Sequence, residues 1–572
     1  MTEQGVQDWT DTVDVLVVGS GAGAMVAAVT AYDRGAKTLV IEKSAYYGGS
    51  SAMSGGGLWI PNNHLMPTVG MNDTPEDAMA YLRATTRGLV ADDRLQAYVK
   101  SAPEMLRYLC EHTRVKADVL TEYPDYYPGA PGYRPGGRSV EPCRIHAKEL
   151  GEEEFLRLRE SAIQSLIAAR IFMTIKEART LFCRGPGWIA LTARLMSRYW
   201  FDLPWRLRSK RDRSLAMGNA LAAMLRRSMM DRGIPLHLKT PAREFVVEDG
   251  RVVGVVAERN GQRLRIRATK GVILGAGGFE SNQAMREKYL PNPTRAEWTC
   301  ANPDNTGDVI ALGIKIGAAV DLMDDAWWGP TTVVPGEDRA RMLVIEKSLP
   351  GSILVNKRGE RFVDEALPYI DVVNTMYEKN TPEAPTVPSY LIFDATFRYK
   401  YPCGPFLQGS TQPDWALPKQ LKQGYLKKAD TIEGLASMLG VDATGLRATI
   451  AKLNQYARTG IDLDFHRGDT VFDQYYGDAN VKPNPCLAPI EKPPFYGMEA
   501  FPGELGTKGG LKTNGNAQVL TETDAVIPGL YATGNCSASV MGRTYPGPGS
   551  TLGPTTTFGY IAARHATEKH AG

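Results

Sequence analysis

Residues 13–42 of the chain read VDVLVVGSGAGAMVAAVTAYDRGAKTLVIE. The β-branched run at 13–18 is long enough for one buried strand, and the apolar segment 25–34 is typical of a helix. A second β-branched run at 38–41 predicts another strand, which ends at Glu42. A strand–helix–strand unit of about 30 residues with this glycine pattern predicts a dinucleotide-binding fold.

The small residues in the turn of this unit each have a physical task. Gly19 allows the tight turn, and Gly21, with Gly23 beside it, lets backbone N–H groups approach a pyrophosphate at the positive end of the helix. Ala24 allows close packing of helix against strand, and Glu42 can accept a hydrogen bond from a ribose 2′-OH. The alternative is a purely structural unit with a glycine turn.

Further segments favour FAD over NAD as the bound dinucleotide. Lys43 is soon followed by the glycine- and serine-rich segment 48–57, which suits a loop over a pyrophosphate and a flavin ring. Strand patterns at 271–275 and 529–533 each lead into glycines, and a helix pattern follows at 555–569. These are the parts with which two-dinucleotide-binding-type flavoproteins hold FAD. Because only one complete fingerprint is present, we expect no NAD(P)H domain and an external electron acceptor such as a quinone.

Composition and charge exclude several classes of protein. The chain has 572 residues, of which 43% are hydrophobic and 23% charged, as in a soluble protein of two or three domains. Its formal net charge of +3 predicts no nucleic-acid partner. Seven cysteines without CxxC spacing fit a reducing cytoplasm, and no histidine pair has metal-ligand spacing, so no metal is expected. The polar N-terminus predicts no secretory signal, and no apolar run is long enough to span a membrane.

The predicted fold class is α/β: a Rossmann-like FAD domain of the two-dinucleotide-binding type with an inserted α+β substrate-capping (catalytic) domain. Residues 1–325 and 501–572 form the two parts of the FAD domain, and residues 326–500 form the capping domain. The capping domain contains two strand patterns and two helix patterns, at 351–355, 390–393, 431–439 and 442–458.

Residues 155–213 differ from the rest of the chain. They contain 13 Lys plus Arg and 4 Asp plus Glu, a net charge of 13 − 4 = +9, with interleaved aromatic residues. Five large aromatics lie between 188 and 205, including Trp188, Trp200 and Trp205. A basic, aromatic-rich segment without a spanning run predicts peripheral binding to the anionic inner face of the cell membrane. The alternative is an insertion packed on the enzyme with its arginines in water.

Tyrosines in rigid loops are the candidate reactive groups. Four of them lie in the proline-rich segment 122–133, one at Tyr369 after Leu-Pro, and one at Tyr545 in the Pro/Gly-rich segment 542–554. Each alone is more often a packing residue. His466 is the one histidine in a loop of unusual composition, and a structural role is expected for it.

The chain resembles the 3-ketosteroid Δ1-dehydrogenase family, and within it the branch that acts on cholest-4-en-3-one. The motifs that carry the resemblance are, in chain order, GSGAGA at 19–24, EKSAYYGGSSAMSGG at 42–56, PDYY at 124–127, NTGD at 305–308, DEALPY at 364–369, FHRG at 465–468, GTKGGL at 506–511 and GRTYPGPGSTLGP at 542–554. With the glycine pattern, they indicate non-covalent FAD held by Gly19, Gly21, Gly23, Ala24, Glu42, Lys43, Gly49, Ser50, Ser51, Gly277, Asp308, Gly534, Asn535 and Leu552. The basic insertion at 155–213 departs from the shorter, soluble members of the family.

The resemblance implies an FAD-dependent 3-oxosteroid 1-dehydrogenase with roles for four residues. Tyr545 O–H and the backbone N–H of Gly549 stabilise negative charge on the C3 oxygen, which makes the C2 proton acidic. Tyr369 takes that proton as phenolate, Tyr126 donates a hydrogen bond to it, and C1 delivers a hydride to flavin N5. Lowering the pKa of a tyrosine from about 10 toward 7 requires roughly 4 kcal/mol of differential stabilisation.

Two other functions stay open from the sequence. One is a related flavin dehydrogenase that forms the 4-ene of a 3-ketosteroid. The other is a non-catalytic protein that escorts lipidated partners on an FAD-type fold. The intact GSGAGA motif at 19–24 and Glu42 argue against the escort protein.

Overall fold

A computed structural model of the protein describes residues 8–162 and 166–568. Its helices are α1 Ala22–Asp33, α2 Gly49–Met53, α3 Pro75–Thr86, α4 Asp92–His112, α5 Glu152–Arg157, α6 Ile175–Phe182, α7 Trp188–Trp200, α8 Leu203–Arg206, α9 Met217–Asp231, α10 Gln283–Tyr289, α11 Asp308–Lys315, α12 Tyr369–Glu378, α13 Ala395–Lys400, α14 Ile432–Leu439, α15 Ala443–Thr459, α16 Val471–Tyr475 and α17 Leu552–Thr567.

The strands alternate with these helices. They are β1 Asp11–Val18, β2 Thr38–Ile41, β3 Leu58–Trp59, β4 Ala117–Val119, β5 Ser139–Pro142, β6 Ile145–His146, β7 Leu166–Ile167, β8 Ile171–Phe172, β9 Ser214–Leu215, β10 Leu236–His237, β11 Ala242–Glu248, β12 Arg251–Arg259, β13 Gln262–Leu274, β14 Val320–Asp321, β15 Ala326–Thr332, β16 Arg341–Met342, β17 Ser352–Val355, β18 Ser389–Phe393, β19 Lys427–Ala429, β20 Phe495–Thr507, β21 Gly510–Leu511, β22 Gln518–Leu520 and β23 Val526–Ala532.

An eight-stranded sheet forms the first layer of the fold. Strands β10, β2, β1, β13 and β23 lie in that order and are parallel, and β12, β11 and β22 add antiparallel pairs. The parallel strands are buried on both faces, which is why β1 and β2 are nearly continuous apolar runs. The strand–helix–strand unit predicted at 13–42 is therefore confirmed.

A six-stranded antiparallel sheet lies at the centre of the second part of the fold. Its order is β16-β15-β20-β18-β17, and β19 also pairs with β20. Helices α14 and α15 pack on it through a separate apolar cluster that includes Leu435, Leu446 and Ile450. The helix patterns predicted at 431–439 and 442–458 are present, and Thr431 and Asp442 are the N-caps of the two helices.

The two predicted domain boundaries can be compared with the strands of the structure. The boundary at 325/326 coincides with the start of β15, whereas the boundary at 500/501 falls inside β20, a 13-residue strand. The first half of β20 pairs with β18 and β19, and its second half pairs with β15. One strand therefore runs from the capping domain into the part that the sequence assigns to the FAD domain.

The C-terminal helix pattern at 555–569 is corrected at its start. Helix α17 begins at Leu552, three residues earlier, and the N–H of Gly553 bonds to the carbonyl of Gly549 at 2.8 Å. The helix ends at Thr567 with Glu568 as its C-cap, and position 569 lies outside the described residues. The earlier start brings the helix N-terminus directly against the segment that contains Gly549.

The basic segment 155–213 folds into short elements from α5 to α8, and residues 163–165 lie outside the described part. Tyr199 and Trp205 are buried, so two of the five aromatics assigned to a membrane surface belong to the packing instead. Seven of its arginines form ion pairs: Arg157, Arg159, Arg179, Arg194, Arg198, Arg208 and Arg213. The surface charge of this segment is therefore smaller than its +9 count suggests. No helix within the described ranges is long and apolar enough to cross a membrane.

Candidate active site

A cavity of about 360 Å³ lies where the two sheets meet. Every residue that the sequence assigns to cofactor or substrate lines this cavity except Ala24. Ala24 lies behind the wall, where a Cβ added to Gly275 would be 2.9 Å from its own Cβ. The small side chain at this position allows α1 to pack closely on β13.

The N-termini of four helices, α1, α2, α11 and α17, line the cavity, through Gly21, Gly49, Asp308 and Leu552. Backbone N–H groups and the positive ends of helix dipoles favour a bound anion such as a pyrophosphate. A Cβ added to Gly49 would lie only 3.7 Å from the Cα of Gly21, so the backbone faces the cavity directly here. These features fit a dinucleotide.

Glycine is required at two positions of the α1 turn. Gly19 has a φ of +105°, and an added Cβ would lie 2.3 Å from the carbonyl oxygen of Gly275. A Cβ on Gly23 would lie 2.4 Å from the carbonyl oxygen of Thr555 on α17. Side chains at either position would push α1 away from the elements that complete the cavity wall.

Glu42 is buried at the end of β2 and already accepts two hydrogen bonds. Ser20 Oγ donates to its Oε2 at 2.6 Å, and the N–H of Ser44 donates to its Oε1 at 2.9 Å. Burial nevertheless raises the pKa of Glu42. Further donors, such as the hydroxyls of a ribose, would favour its charged form, so this carboxylate suits the adenosine end of FAD.

Lys43 Nζ lies beside Glu42 in the wall and bonds to two groups of the 305–308 motif. It donates to Thr306 Oγ1 at 2.6 Å and to Asp308 Oδ2 at 2.7 Å. This pairing fixes the start of α11 at the cavity. The two predicted residues, Lys43 and Asp308, are thus brought together from segments 265 residues apart.

The structure adds a buried polar chain that sequence reasoning missed. Asn305 Nδ2 donates to Ser50 Oγ at 2.9 Å and to Glu280 Oε1 at 2.6 Å. Burial raises the pKa of Glu280 to about 7. Asn305 belongs to the NTGD motif, but only the tertiary fold shows that it contacts both Ser50 and Glu280.

Three tyrosines predicted as reactive groups meet in the wall of the same cavity. The ring centroids of Tyr369 and Tyr545 are 5.2 Å apart, and Tyr126 stacks on Tyr545 at 5.4 Å. The hydroxyl of Tyr126 donates to the hydroxyl of Tyr369 at 3.3 Å. The predicted contact between these two phenols is present, although the distance is long for an O–H···O bond.

Gly549 lies beside the Tyr545 hydroxyl: burial raises the pKa of that phenol, and the backbone N–H of Gly549 lowers it. Its φ is +96°, and an added Cβ would lie 2.5 Å from the backbone carbon of Gly57. The carbonyl of Gly549 accepts the N–H of Trp59 at 3.1 Å. Since glycine is required here, the N–H stays accessible next to the phenol.

Burial dominates the protonation of this cluster. It raises the pKa of Tyr369 well above the ordinary value, more than the hydrogen bond from Tyr126 lowers it. It also raises the pKa of Tyr545. The lowering of the Tyr369 pKa toward 7 stays a prediction, and burial opposes it.

Three further tyrosines line the cavity and were not assigned roles from the sequence. The hydroxyl of Tyr123 bonds to Tyr126 at 3.2 Å and to Tyr476, and its ring stacks on Tyr475 at 4.3 Å. Tyr123 belongs to the proline-rich loop that the sequence singles out, whereas the tandem pair at 475–476 carried no signal. Together they extend the chain of hydroxyls from Tyr369.

The basic segment supplies one apolar wall of the cavity. Met173, Ile175, Ala178 and Phe182 line it, together with Arg179. Arg179 lies 4.3 Å from the ring centroid of Tyr475 and donates to the carbonyl of that residue at 3.1 Å. Helix α6 therefore borders the same space as the tyrosines.

Histidines and metal-type clusters play no part in this site. His466 lies away from it, with Nδ1 3.2 Å from Asp469 Oδ2 on the surface. Among residues 8–162 and 166–568, no group of three His, Cys, Asp or Glu side chains is arranged to hold a metal ion. All seven cysteines are free.

Comparisons with known proteins agree with this geometry. The chain matches the FAD binding domain family over residues 14–552. It is 41% identical to the 3-oxosteroid 1-dehydrogenase of Mycobacterium tuberculosis, over 97% of this chain and 98% of the relative. It is 42% identical to the enzyme of that name from Mycolicibacterium smegmatis, over 96% of each chain. The structure of 3-ketosteroid Δ1-dehydrogenase from Sterolibacterium denitrificans in complex with 1,4-androstadiene-3,17-dione matches at 50% identity with a TM-score of 0.94, over 98% of this chain and 100% of that one.

The fold, the four helix N-termini that line the cavity and the family match define an FAD-dependent oxidoreductase. Within that class, the chain belongs to the 3-oxosteroid 1-dehydrogenase family. The family, the fold class, the type of enzyme and the FAD cofactor that the sequence predicts are confirmed.

Proposed function

We propose that the protein removes hydrogen from C1 and C2 of ring A of a 3-ketosteroid, with FAD as the oxidant, and that cholest-4-en-3-one is its substrate. The observation that carries the reaction is the meeting of Tyr126, Tyr369, Tyr545 and Gly549 in the cavity that the FAD-binding elements line. Full-length relatives named 3-oxosteroid 1-dehydrogenase support it.

The C3 carbonyl would be bound by the hydroxyl of Tyr545 and the N–H of Gly549. The raised pKa of Tyr545 keeps it a neutral donor. Two preorganised donors in a cavity shielded from water stabilise negative charge as it develops on the C3 oxygen. The stabilised oxygen makes the C2 proton acidic.

As a phenolate, after its own proton has left along the hydroxyls of Tyr126 and Tyr123, Tyr369 would accept that proton. Its hydroxyl is 3.3 Å from that of Tyr126, which in turn is 3.2 Å from that of Tyr123. These hydroxyls stabilise a phenolate at Tyr369 against the cost of burial. A phenolate in this environment is strongly basic, which suits the abstraction of a proton from carbon.

FAD bound along the helix N-termini would supply the acceptor, flavin N5, for the hydride that leaves C1. Segment 542–551, which carries Tyr545 and Gly549, leads directly into α17 at Leu552. Residues of this chain therefore orient the steroid ring and the cofactor from one continuous stretch. With one dinucleotide fingerprint in the sequence, we propose a quinone or another external molecule as the final acceptor.

An apolar wall favours a steroid with a long side chain. Met173, Ile175, Ala178 and Phe182 extend the cavity with aliphatic and aromatic surface. Fully burying one such side chain against a ligand contributes about 1.5–3 kcal/mol. The short C17 substituent of androst-4-ene-3,17-dione would gain no binding energy from this wall.

Anaerobic addition of 5α-cholestan-3-one and of cholest-4-en-3-one to the purified holoenzyme tests the reaction. We expect the flavin band to bleach with both and the products to carry a new 1,2 double bond. A 4-ene product from 5α-cholestan-3-one would instead favour the alternative dehydrogenase, and an unbleached flavin with both would contradict the proposal. A kcat/KM for androst-4-ene-3,17-dione at least equal to that for cholest-4-en-3-one would overturn the proposed side-chain preference alone.

We also propose that the enzyme acts in the cytoplasm, in peripheral contact with the inner face of the cell membrane. The 200–207 stretch supports this, because Phe201 is 82% and Leu207 90% exposed and basic residues flank them. Apolar tips of this kind with nearby arginines suit an anionic bilayer surface.

Flotation with anionic liposomes at low salt tests this contact. The intact holoenzyme should float, and a Phe201→Ser/Leu207→Ser variant should stay at the bottom. Trp415→Ser is the matched control, because Trp415 is 81% exposed but lies outside the basic segment. Intact enzyme at the bottom of the gradient would show that the segment is a packed insertion in water.

A further inference from the structure

We propose that Tyr127 and Asp371 are positioning residues that hold the helix of the proton acceptor Tyr369 and the loop of the carbonyl donor Tyr545 in a fixed relation. This inference rests on the roles proposed above for Tyr369 and Tyr545. Neither positioning residue lines the cavity.

Two contacts form the link. The backbone N–H of Tyr545 lies 3.5 Å from the hydroxyl of Tyr127. Burial raises the pKa of the Asp371 carboxylate to about 6, and the Tyr127 hydroxyl beside it lowers that pKa. Asp371 lies in the first turn of α12, two residues after Tyr369. Each residue of a helix is rotated by about 100° from the one before it, so residues two apart point to nearly opposite sides. The Asp371 carboxylate is therefore on the side of α12 opposite the Tyr369 ring.

The other side of the same peptide group is held by a buried cation. Lys508 Nζ donates to the carbonyl of Thr544 at 2.9 Å. The fully buried Lys508 also pairs with Asp325 at 3.2 Å and lies 4.8 Å from the ring centroid of Trp327. The peptide that joins Thr544 to Tyr545 is thus bonded at both its N–H and its C=O, which fixes the direction in which the Tyr545 side chain leaves the backbone.

The segment that carries Tyr127 is itself bonded to the donor loop. The N–H of Tyr126 donates to the carbonyl of Pro546 at 2.8 Å, and the hydroxyl of Tyr81 donates to that carbonyl at 2.6 Å. Tyr127 N–H in turn donates to the Tyr81 hydroxyl at 3.2 Å. Residues 126–127 are therefore bonded to residues 545–546, and the contact between Tyr127 and Asp371 connects these two segments to α12.

The link matters because carbonyl and proton acceptor must be correctly placed together. A displacement of about 1 Å lowers a rate by up to about 100-fold, while binding of a large apolar substrate hardly changes. Loss of the Tyr127 hydroxyl should therefore lower kcat about 10- to 100-fold and change KM by less than about threefold.

The test is steady-state and isotope-effect kinetics of Tyr127→Phe holoenzyme. With steroid deuterated at C2, the isotope effect on kcat should rise above that of the wild type, because removal of the C2 proton becomes slower. Deuterium at C1 should show no such rise. Asp371→Asn should show the same changes in kcat and isotope effect as Tyr127→Phe. The double variant should be no slower than the slower single variant, because each single variant removes the same contact.

Tyr133→Phe is the matched control. Tyr133 lies in the same loop, and its buried hydroxyl has no hydrogen-bond partner within the described part of the chain. Its kcat should be unchanged. Suppose that the wild type forms the 1,2 double bond. A Tyr127→Phe kcat within twofold of the wild-type value, or additive effects of the two single variants, would then overturn the positioning role only. Wild type that forms no 1,2 double bond would overturn the proposed function and this inference with it.

Discussion

Replacing Tyr369 by Phe should abolish most turnover while leaving the protein folded and loaded with FAD. The ring contacts with Tyr545 and Tyr126, at 5.2 and 5.8 Å between centroids, do not need the hydroxyl. The lost hydrogen bond from Tyr126 is long, and Tyr126 keeps Tyr123 as a partner at 3.2 Å. We therefore expect a loss of at most about 1 kcal/mol in the free energy of unfolding.

The catalytic loss should be much larger than this loss of stability. A positioned proton acceptor contributes about 10²- to 10⁴-fold to a rate, which corresponds to roughly 2.7–5.4 kcal/mol in the activation barrier. Since the variant keeps the carbonyl donors Tyr545 and Gly549, this loss should fall on kcat, with KM changing little.

Anaerobic stopped-flow measurement of flavin bleaching separates these effects. The rate of bleaching at saturating cholest-4-en-3-one should fall at least 100-fold, by the lower bound for general-base catalysis. Tyr377→Phe is a matched control on the same helix, because Tyr377 does not line the cavity and its hydroxyl bonds to the carbonyl of Pro293 at 3.2 Å. A Tyr369→Phe rate within threefold of wild type would show that another group accepts the proton.

Three further predictions concern the donor, the cofactor and pH. Tyr545→Phe removes one donor to the C3 oxygen and should lower kcat by about 10²- to 10³-fold in single-turnover assays, and a smaller loss would leave Gly549 as the main donor. Acid precipitation should release FAD into the supernatant, because burial raises the pKa of the one cysteine in the cavity wall, Cys300, and keeps its thiol protonated; a yellow pellet would contradict this. The pKa of Glu280, about 7 in the folded protein against an ordinary value near 4.5, means that the folded state keeps a proton which the unfolded chain releases. The free energy of unfolding of the wild type should therefore fall, relative to Glu280→Gln, by up to about 3 kcal/mol as the pH rises from 4.5 to 7, and a constant difference in denaturant melts would refute it.

The local elements of the fold follow from the sequence where pattern and capping agree. The run at 13–18 and the glycines after it determine the first strand and turn. Helices α14 and α15 begin immediately after Thr431 and Asp442, whose side chains accept backbone N–H groups in the first turn. The start of α17 was misplaced, because the helix begins within the Pro/Gly-rich segment, where no periodic pattern exists.

The candidate site could be predicted only in part, because it is made by tertiary contacts. Tyr126 and Tyr545 lie in loops, whereas Tyr369, predicted in a loop, is the first residue of α12, and their roles came from family resemblance rather than from spacing. Asn305 belongs to the NTGD motif, but only the fold brings it to both Ser50 and Glu280. The prediction that the aromatics of the basic segment face a membrane was wrong for two of them. A count of aromatic residues does not show that Tyr199 and Trp205 are buried while Phe201 faces solvent.

The placement of α17 explains how one fold serves cofactor and substrate together. Its N-terminus at Leu552 lies in the cavity wall among the helix ends that suit a pyrophosphate and flavin. Gly549 precedes it by three residues and is bonded both to Gly553 within the helix turn and to Trp59 on β3. Gly549 also lies beside the Tyr545 hydroxyl, so a movement of α17 would shift both proposed carbonyl donors. If FAD and the steroid bind as proposed, this continuous stretch would determine the distance between the flavin and the steroid ring. Gly549 and Gly553 leave no room in it for a Cβ, which would lie 2.5 and 2.4 Å from backbone atoms.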